Sequence, residues 1–183
     1  HSSKKKFQKE ERLAWFKDAK LGIFIHWGIY AVNGIDESWS FYNNYISYTD
    51  YMKQLNGFTA KNYNPNKWAK LIKEAGAKYT IITTKHHDGV ALWDSKFGTL
   101  NTVNKTPAKK DLIKPFVKAI RKQHLKVGLY YSLLDWSYPN YPNFTKTKNR
   151  YKKDEKKWED FTKYNFGQLN ELTQFNPDLY WFD

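Results

Sequence analysis

The chain contains no cysteine and a single methionine. The first absence removes disulfides, zinc–thiolate centres and thiol nucleophiles, and leaves the redox compartment open. Arginine is scarce as well: most of the 31 basic residues are lysines, so the planar forks that grip phosphates or base edges bidentately are few. No apolar run approaches the ~18 residues of a membrane span, because Lys, Asp or Asn interrupts every candidate. At the start, His1-Ser2-Ser3 leads straight into Lys4-Lys5-Lys6, without the pattern of a signal peptide. Acidic residues number only 18, which sets the formal net charge at +13. Such a charge suits an anionic glycan, a nucleic acid or a membrane surface. The lysines are spread along helical segments rather than gathered in one arm, however, so a solvated basic surface is expected, with neither nucleic acid nor membrane as partner.

What is present is apolar and aromatic. With 183 residues, 40% hydrophobic and 19% aromatic, the chain can bury a sizeable core, and its length favours one domain. Four short apolar runs read as strands: Leu21–Ile25, Tyr79–Thr84, Val127–Tyr131 and Leu179–Phe182. The first and last read as buried on both faces, as in parallel sheets. Helical spacing separates them. Pro65 opens a helix with Trp68, Leu71, Ile72 and Ala75 as its apolar stripe and Gly76 as its stop. Asp111 caps a second, on which Leu112, Phe116, Ala119 and Ile120 recur. A third presents Trp158, Phe161, Leu169, Leu172 and Phe175, and ends at Asn176-Pro177. Before the first strand, residues 4–16 suggest a short helix, and Tyr138–Lys153 reads as an exposed loop.

Strands alternating with helices predict an α/β fold with a parallel sheet. The connections after strands are long and those after helices are short. Ile29–Phe58, for example, reads as a long loop with one short helix near Thr49–Leu55. That asymmetry favours a barrel whose site is built at the carboxyl ends of the strands. A complete barrel needs eight strands and ~250 residues. The expectation is therefore the N-terminal half of a (β/α)8 TIM-like barrel, with residues 1–183 forming one catalytic domain that is incomplete at its C-terminal side.

Polar residues sit at the same end of all four strands: His26, the His86-His87-Asp88 run, Tyr130 or Tyr131, and Asp183. Singly, each suits a structural role. Together with Trp27, Trp39, Trp93 and Trp136 in the following loops, they have the makings of a sugar site, in which flat aromatic faces meet ring C–H groups and polar side chains clamp hydroxyls.

At these residues the chain resembles the α-L-fucosidases of glycoside hydrolase family 29. The resemblance is carried, in order, by the blocks Lys20–Gly28, Thr84–Gly89, Gly128–Ser132 and Pro177–Asp183, and runs from about Trp15 to Asp183. It implies a retaining exo-hydrolase of terminal α-L-fucose that needs no cofactor and no metal. Asp183 corresponds to the nucleophile. His26, His86, His87, Tyr130 and Trp181 fall where the family contacts the sugar or supports the nucleophile. Glu37 and Trp39 lie where the family often has a Glu-Trp pair, here separated by Ser38. Asp88 is read as holding its loop in shape. The family's general acid/base lies beyond position 183, and Glu37 is the one loop carboxylate that could stand in for it. A fucosylated oligosaccharide or polysaccharide, sulfated or not, is the implied partner, and a secreted or periplasmic location is expected.

Two other readings use the same residues. His26, His86, His87 and Asp183 would suit a metal-dependent hydrolase on the same half-barrel. Against it, adjacent histidines in a straight strand point to opposite faces, so both reach one ion only if the chain bends. The charge suggests, alternatively, a non-catalytic module that binds anionic glycan.

Overall fold

The computed structural model describes residues 11, 14–139 and 155–183. The expectations for residues 4–10 and for the loop at 140–153 lie outside the described residues. Four strands form one sheet: β1 (Gly22–Ile25), β2 (Tyr79–Lys85), β3 (Lys126–Tyr131) and β4 (Leu179–Phe182). Their order in the sheet is their order in the chain, and every neighbouring pair is parallel. A doubly wound sheet reverses its strand order at a switch point. An unreversed order winds the chain one way and leaves the helices on one side, as in a TIM-like barrel. The fold is the α/β half-barrel anticipated from the sequence.

Six α-helices are described after β1 begins: α1 (Trp39–Tyr42), α2 (Tyr48–Met52), α3 (Pro65–Glu74), α4 (Thr102–Lys105), α5 (Ile113–Lys122) and α6 (Glu155–Leu172). Local chemistry sets their ends. Asn64 accepts from the Lys67 amide ahead of Pro65, which opens α3. Asp111 Oδ1 accepts from the amides of Ile113 and Lys114 and so closes two of the free donors at the start of α5. At the end of α6 a 3-10 turn runs to Phe175, and Asn176 takes a left-handed conformation before Pro177 forbids further helix.

The core lies between the sheet and the helices. Ile82, Val127, Leu129 and Tyr131 from the strands meet Ala69 and Ile72 of α3, Phe116 and Ile120 of α5, and Phe161 and Leu172 of α6. Each of the larger side chains, Val, Leu, Ile or Phe, contributes about 1.5–3 kcal/mol on burial. Leu71, expected on the buried stripe of α3, is instead 54% exposed, because Ala69 and Ile72 set the helix's inward face one position away. Trp158 of α6 is likewise half-exposed.

The outer strands correct a second expectation. Neither β1 nor β4 is buried on both faces: Phe24, Tyr180, Trp181 and Phe182 are 37–52% exposed. Within residues 1–183 each has one neighbouring strand, so its faces are lined from one side in this half of the barrel. The expected long loop after β1 is also more ordered than its composition suggests. It holds α1 and α2 with 3-10 turns at Ile29–Ala31 and Lys53–Gly57.

Candidate active site

The geometry of the site begins with a slip in register. Thr83 pairs with Tyr130, but Lys85 pairs with Tyr131, so β2 has a residue more than β3 at this point. A bulge of this kind sends the side chains beyond it to the face opposite the one that alternation would give. Lys85 therefore joins Tyr131 on the helix side. There its Nζ lies 3.1 Å from Tyr131 Oη, 3.1 Å from Asp135 Oδ2 and 2.9 Å from Gln168 Oε1. His86 turns inward and stacks on Tyr130, with ring centroids 5.9 Å apart and planes 11° from parallel. His87, past the strand's end, lies beside it at 4.3 Å. The bulge is how two adjacent histidines reach one site.

Alternation places the other members. On the inner face Phe24 of β1, Tyr130 of β3 and Trp181 of β4 meet edge to face. Two residues beyond Phe24 comes His26, and two beyond Trp181 comes Asp183. His26 packs against His86 at 5.1 Å and Tyr130 at 6.2 Å. Asp183 Oδ2 accepts from Tyr130 Oη at 2.9 Å and lies 3.8 Å from His87 Nε2. Trp39, 40% exposed, stands edge-on to His87 and to Trp136. One Glu37 oxygen, one His26 nitrogen and one His86 nitrogen lie within 4.8 Å of one another. His26, Glu37, Trp39, His86, His87, Tyr130, Trp181 and Asp183 thus gather at the strand ends, whereas Tyr131, the other tyrosine of its pair, faces the helices.

Hydroxyls that were given no role in the sequence orient the imidazoles. Tyr30 Oη is 2.6 Å from His26 Nδ1, Ser38 Oγ is 2.6 Å from His86 Nδ1, and Ser132 Oγ is 2.5 Å from His87 Nδ1. Ser132 donates its only proton to the Leu134 carbonyl at 2.6 Å. Its oxygen must therefore accept from His87, which fixes the proton on Nδ1 and leaves Nε2 bare. That Nε2 is buried without a hydrogen-bond partner. Ser38, which separates Glu37 from Trp39, is itself fully buried. Two of these residues stood beside stretches already marked, Ser132 at the end of the block Gly128–Ser132 and Ser38 between Glu37 and Trp39, but serine is too common for position alone to mark it.

Burial governs the charges. It pushes His86 down to about 2, helped by its two histidine neighbours. It also lowers His26 and His87, against the opposing pull of Glu37 and Asp183. All three rings are consequently neutral near pH 7. Tyr130 is raised, first by burial and then by its bond to Asp183, and stays a hydroxyl donor. Asp88 is held away from the site. It is buried, accepts from Tyr51 Oη at 2.6 Å and from the Val90 amide at 2.9 Å, and shapes the loop.

Two of the tryptophans do not belong here. Trp27 packs with Phe58, Tyr63 and Trp68, and Trp93 is fully buried with its Nε1–H on Glu171. Both pack away from the strand-end site, Trp27 against the aromatic residues around the start of α3 and Trp93 beside α6 through Glu171. The metal reading is corrected too. Among the described residues the group able to hold an ion is His26, Glu37 and His86, and it includes neither His87 nor Asp183.

Residues 1–183 match the family model for alpha-L-fucosidase. The chain belongs to the α-L-fucosidase family. It is 35% identical to the tissue alpha-L-fucosidase of Bos taurus over 93% of this chain and 38% of that protein. Among solved structures, alpha-L-fucosidase isoenzyme 1 from Paenibacillus thiaminolyticus matches with a TM-score of 0.83 at 40% identity, over 95% of this chain and 43% of that one. A family 29 α-L-fucosidase from Bacteroides thetaiotaomicron, trapped as a covalent intermediate with 2-fluoro-fucosyl fluoride, matches with a TM-score of 0.81 at 34% identity, over 94% and 41%. The chain thus spans about two fifths of the length of these fucosidases.

Proposed function

We propose that this chain is the nucleophile-bearing part of a retaining exo-α-L-fucosidase. The observation that carries the reading is Asp183, a carboxylate at the end of β4 held by Tyr130 among His26, His86 and His87. Family membership and a relative trapped as a covalent intermediate support it.

In the reaction, an Asp183 oxygen attacks the anomeric carbon of fucose. The glycosidic oxygen leaves with a proton from a general acid, and an ester joins the sugar to the enzyme. Water, deprotonated by the same group, then displaces Asp183 and releases fucose. Tyr130 orients the attacking carboxylate. His26, His86 and Glu37 hold sugar hydroxyls, with His87 behind the nucleophile, while Trp39 and Trp181 offer flat faces to the ring. We assign the general acid/base to the remainder of the full-length protein, since retention needs a second carboxyl group about 5–5.5 Å from the first. Residues 1–183 then form part of a single catalytic barrel domain. The substrate is a fucosylated oligosaccharide or polysaccharide. The lysine excess suits a sulfated or otherwise anionic carrier, and such carriers fit a secreted or periplasmic enzyme.

The test is hydrolysis of an aryl α-L-fucoside by the full-length protein, followed by NMR of the first-formed sugar. α-L-Fucose as first product supports retention. β-L-Fucose contradicts it, and no hydrolysis with salt-sensitive binding of an anionic glycan favours the binding module.

A further inference from the structure

The donors that would clamp sugar hydroxyls also form a metal-binding set. His26 and His86 each have Nδ1 engaged by a hydroxyl, of Tyr30 and Ser38 respectively, at 2.6 Å. Nε2 is the free nitrogen of each ring. A ligating histidine almost always donates its other N–H to a fixed acceptor, which orients the ring and makes it more basic. Each ring has a hydroxyl at that position, of Tyr30 for His26 and of Ser38 for His86, which accepts when the ring proton sits on Nδ1. The third donor, the Glu37 carboxylate, has no hydrogen-bond or ion-pair partner among the described residues and is only half-buried.

We infer that His26, His86 and Glu37 bind a divalent transition metal in the sugar pocket, and that zinc bound there competes with the sugar. Two imidazoles and a carboxylate suit zinc, cobalt, nickel or copper; magnesium and calcium prefer all-oxygen shells. Bonds of about 2.0–2.2 Å place tetrahedral donors about 3.3 Å apart. The donor atoms lie within 4.8 Å of one another, so binding an ion draws the half-buried Glu37 carboxylate and the His26 ring toward the buried His86. Neither His87 nor Asp183 joins the set. The ion therefore occupies side chains that would hold the sugar and leaves Asp183 unligated, unlike the ligand set of the metal-dependent hydrolase reading. No thiol offers zinc another route within these residues. The competition rests on the fucosidase reading; the metal site does not.

The experiment uses the full-length protein, with zinc binding followed by equilibrium dialysis and cobalt binding by its visible absorption. One ion per chain is expected, displaced by L-fucose, with zinc raising KM for an aryl α-L-fucoside and leaving kcat unchanged. Glu37→Gln and His86→Ala should each loosen the ion at least about tenfold, and Ser38→Ala by about 10- to 100-fold through the ring it orients. Circular dichroism confirms that each variant is folded; Glu37→Gln, isosteric and at the surface, suffices if His86→Ala is not. Zinc held equally well by folded Glu37→Gln overturns the site. Zinc that binds but is not displaced by L-fucose, in a protein that still hydrolyses fucosides, overturns the competition. If zinc binding is lost in Glu37→Gln while the unaltered protein hydrolyses no fucoside, the site stands and the fucosidase reading fails.

Discussion

Tyr130 Oη donates to Asp183 Oδ2 at 2.9 Å, across from β3 to the residue that follows β4. Tyr130 pairs with Trp181 in the sheet, and its phenol reaches forward along the strand direction to the carboxylate two residues on. The bond fixes which oxygen is held and which is left to attack. A hydrogen bond to a charged acceptor contributes about 1.5–3 kcal/mol. Tyr130→Phe in the full-length enzyme should therefore lower kcat/KM for an aryl α-L-fucoside roughly 10- to 100-fold, with little change in the urea midpoint. Unchanged kinetics would show that the carboxylate is held some other way.

Ser132 decides the tautomer of His87. With its proton committed to the Leu134 carbonyl, it can only accept from Nδ1–H. Selective nitrogen labelling of histidine should find His87 Nε2 unprotonated at neutral pH in the unaltered protein. Ser132→Ala removes the acceptor and should let the proton move to Nε2, toward Asp183. A protonated Nε2 before the substitution would contradict the assignment.

Lys85 and Asp135 form a fully buried ion pair at 3.1 Å, shared with Gln168 and Tyr164. Removing one partner strands the other charge. Lys85→Met should cost about 3–5 kcal/mol, whereas pairing it with Asp135→Asn should recover part of that loss. Urea unfolding of the two single variants and the double variant measures the coupling; additive losses would refute it.

Asp88 gives the fold a pH dependence of known sign. Burial raises its carboxyl from 3.8 to about 6, against the lowering effect of its bonds from Tyr51 and Val90. Between those values the folded protein holds a proton that the unfolded chain has released. This contribution is complete below about pH 4 and is lost as pH rises through 6, by up to about 3 kcal/mol. Asp88→Asn should flatten that part of the stability profile between pH 4 and 6, measured by denaturant midpoints. A slope that persists unchanged assigns it to another group.

Much of this was legible in the sequence because the signals were periodic or concentrated. Apolar runs ending in His26, His86 and Asp183 gave the strands and the end at which chemistry gathers. The winding could be read from loop lengths, since short returns after helices force neighbouring strands to follow chain order. What escaped depended on partners far away in the chain. Lys85 reads as the first residue of a polar run, and only the bulge opposite Tyr130 and Tyr131 sends it to Asp135 and Gln168 instead of into the site. Trp27 and Trp93 have the same local context as Trp39, yet both pack away from the site. Ser38 and Ser132 act through single hydrogen bonds, which leave no periodic trace.

The most direct measurement concerns Asp183. In the full-length protein, Asp183→Gly should reduce turnover of an aryl α-L-fucoside on the order of 10⁴-fold or more, and added azide should restore activity by forming a fucosyl azide of inverted configuration. Near-normal turnover by that variant would show that Asp183 is not the nucleophile.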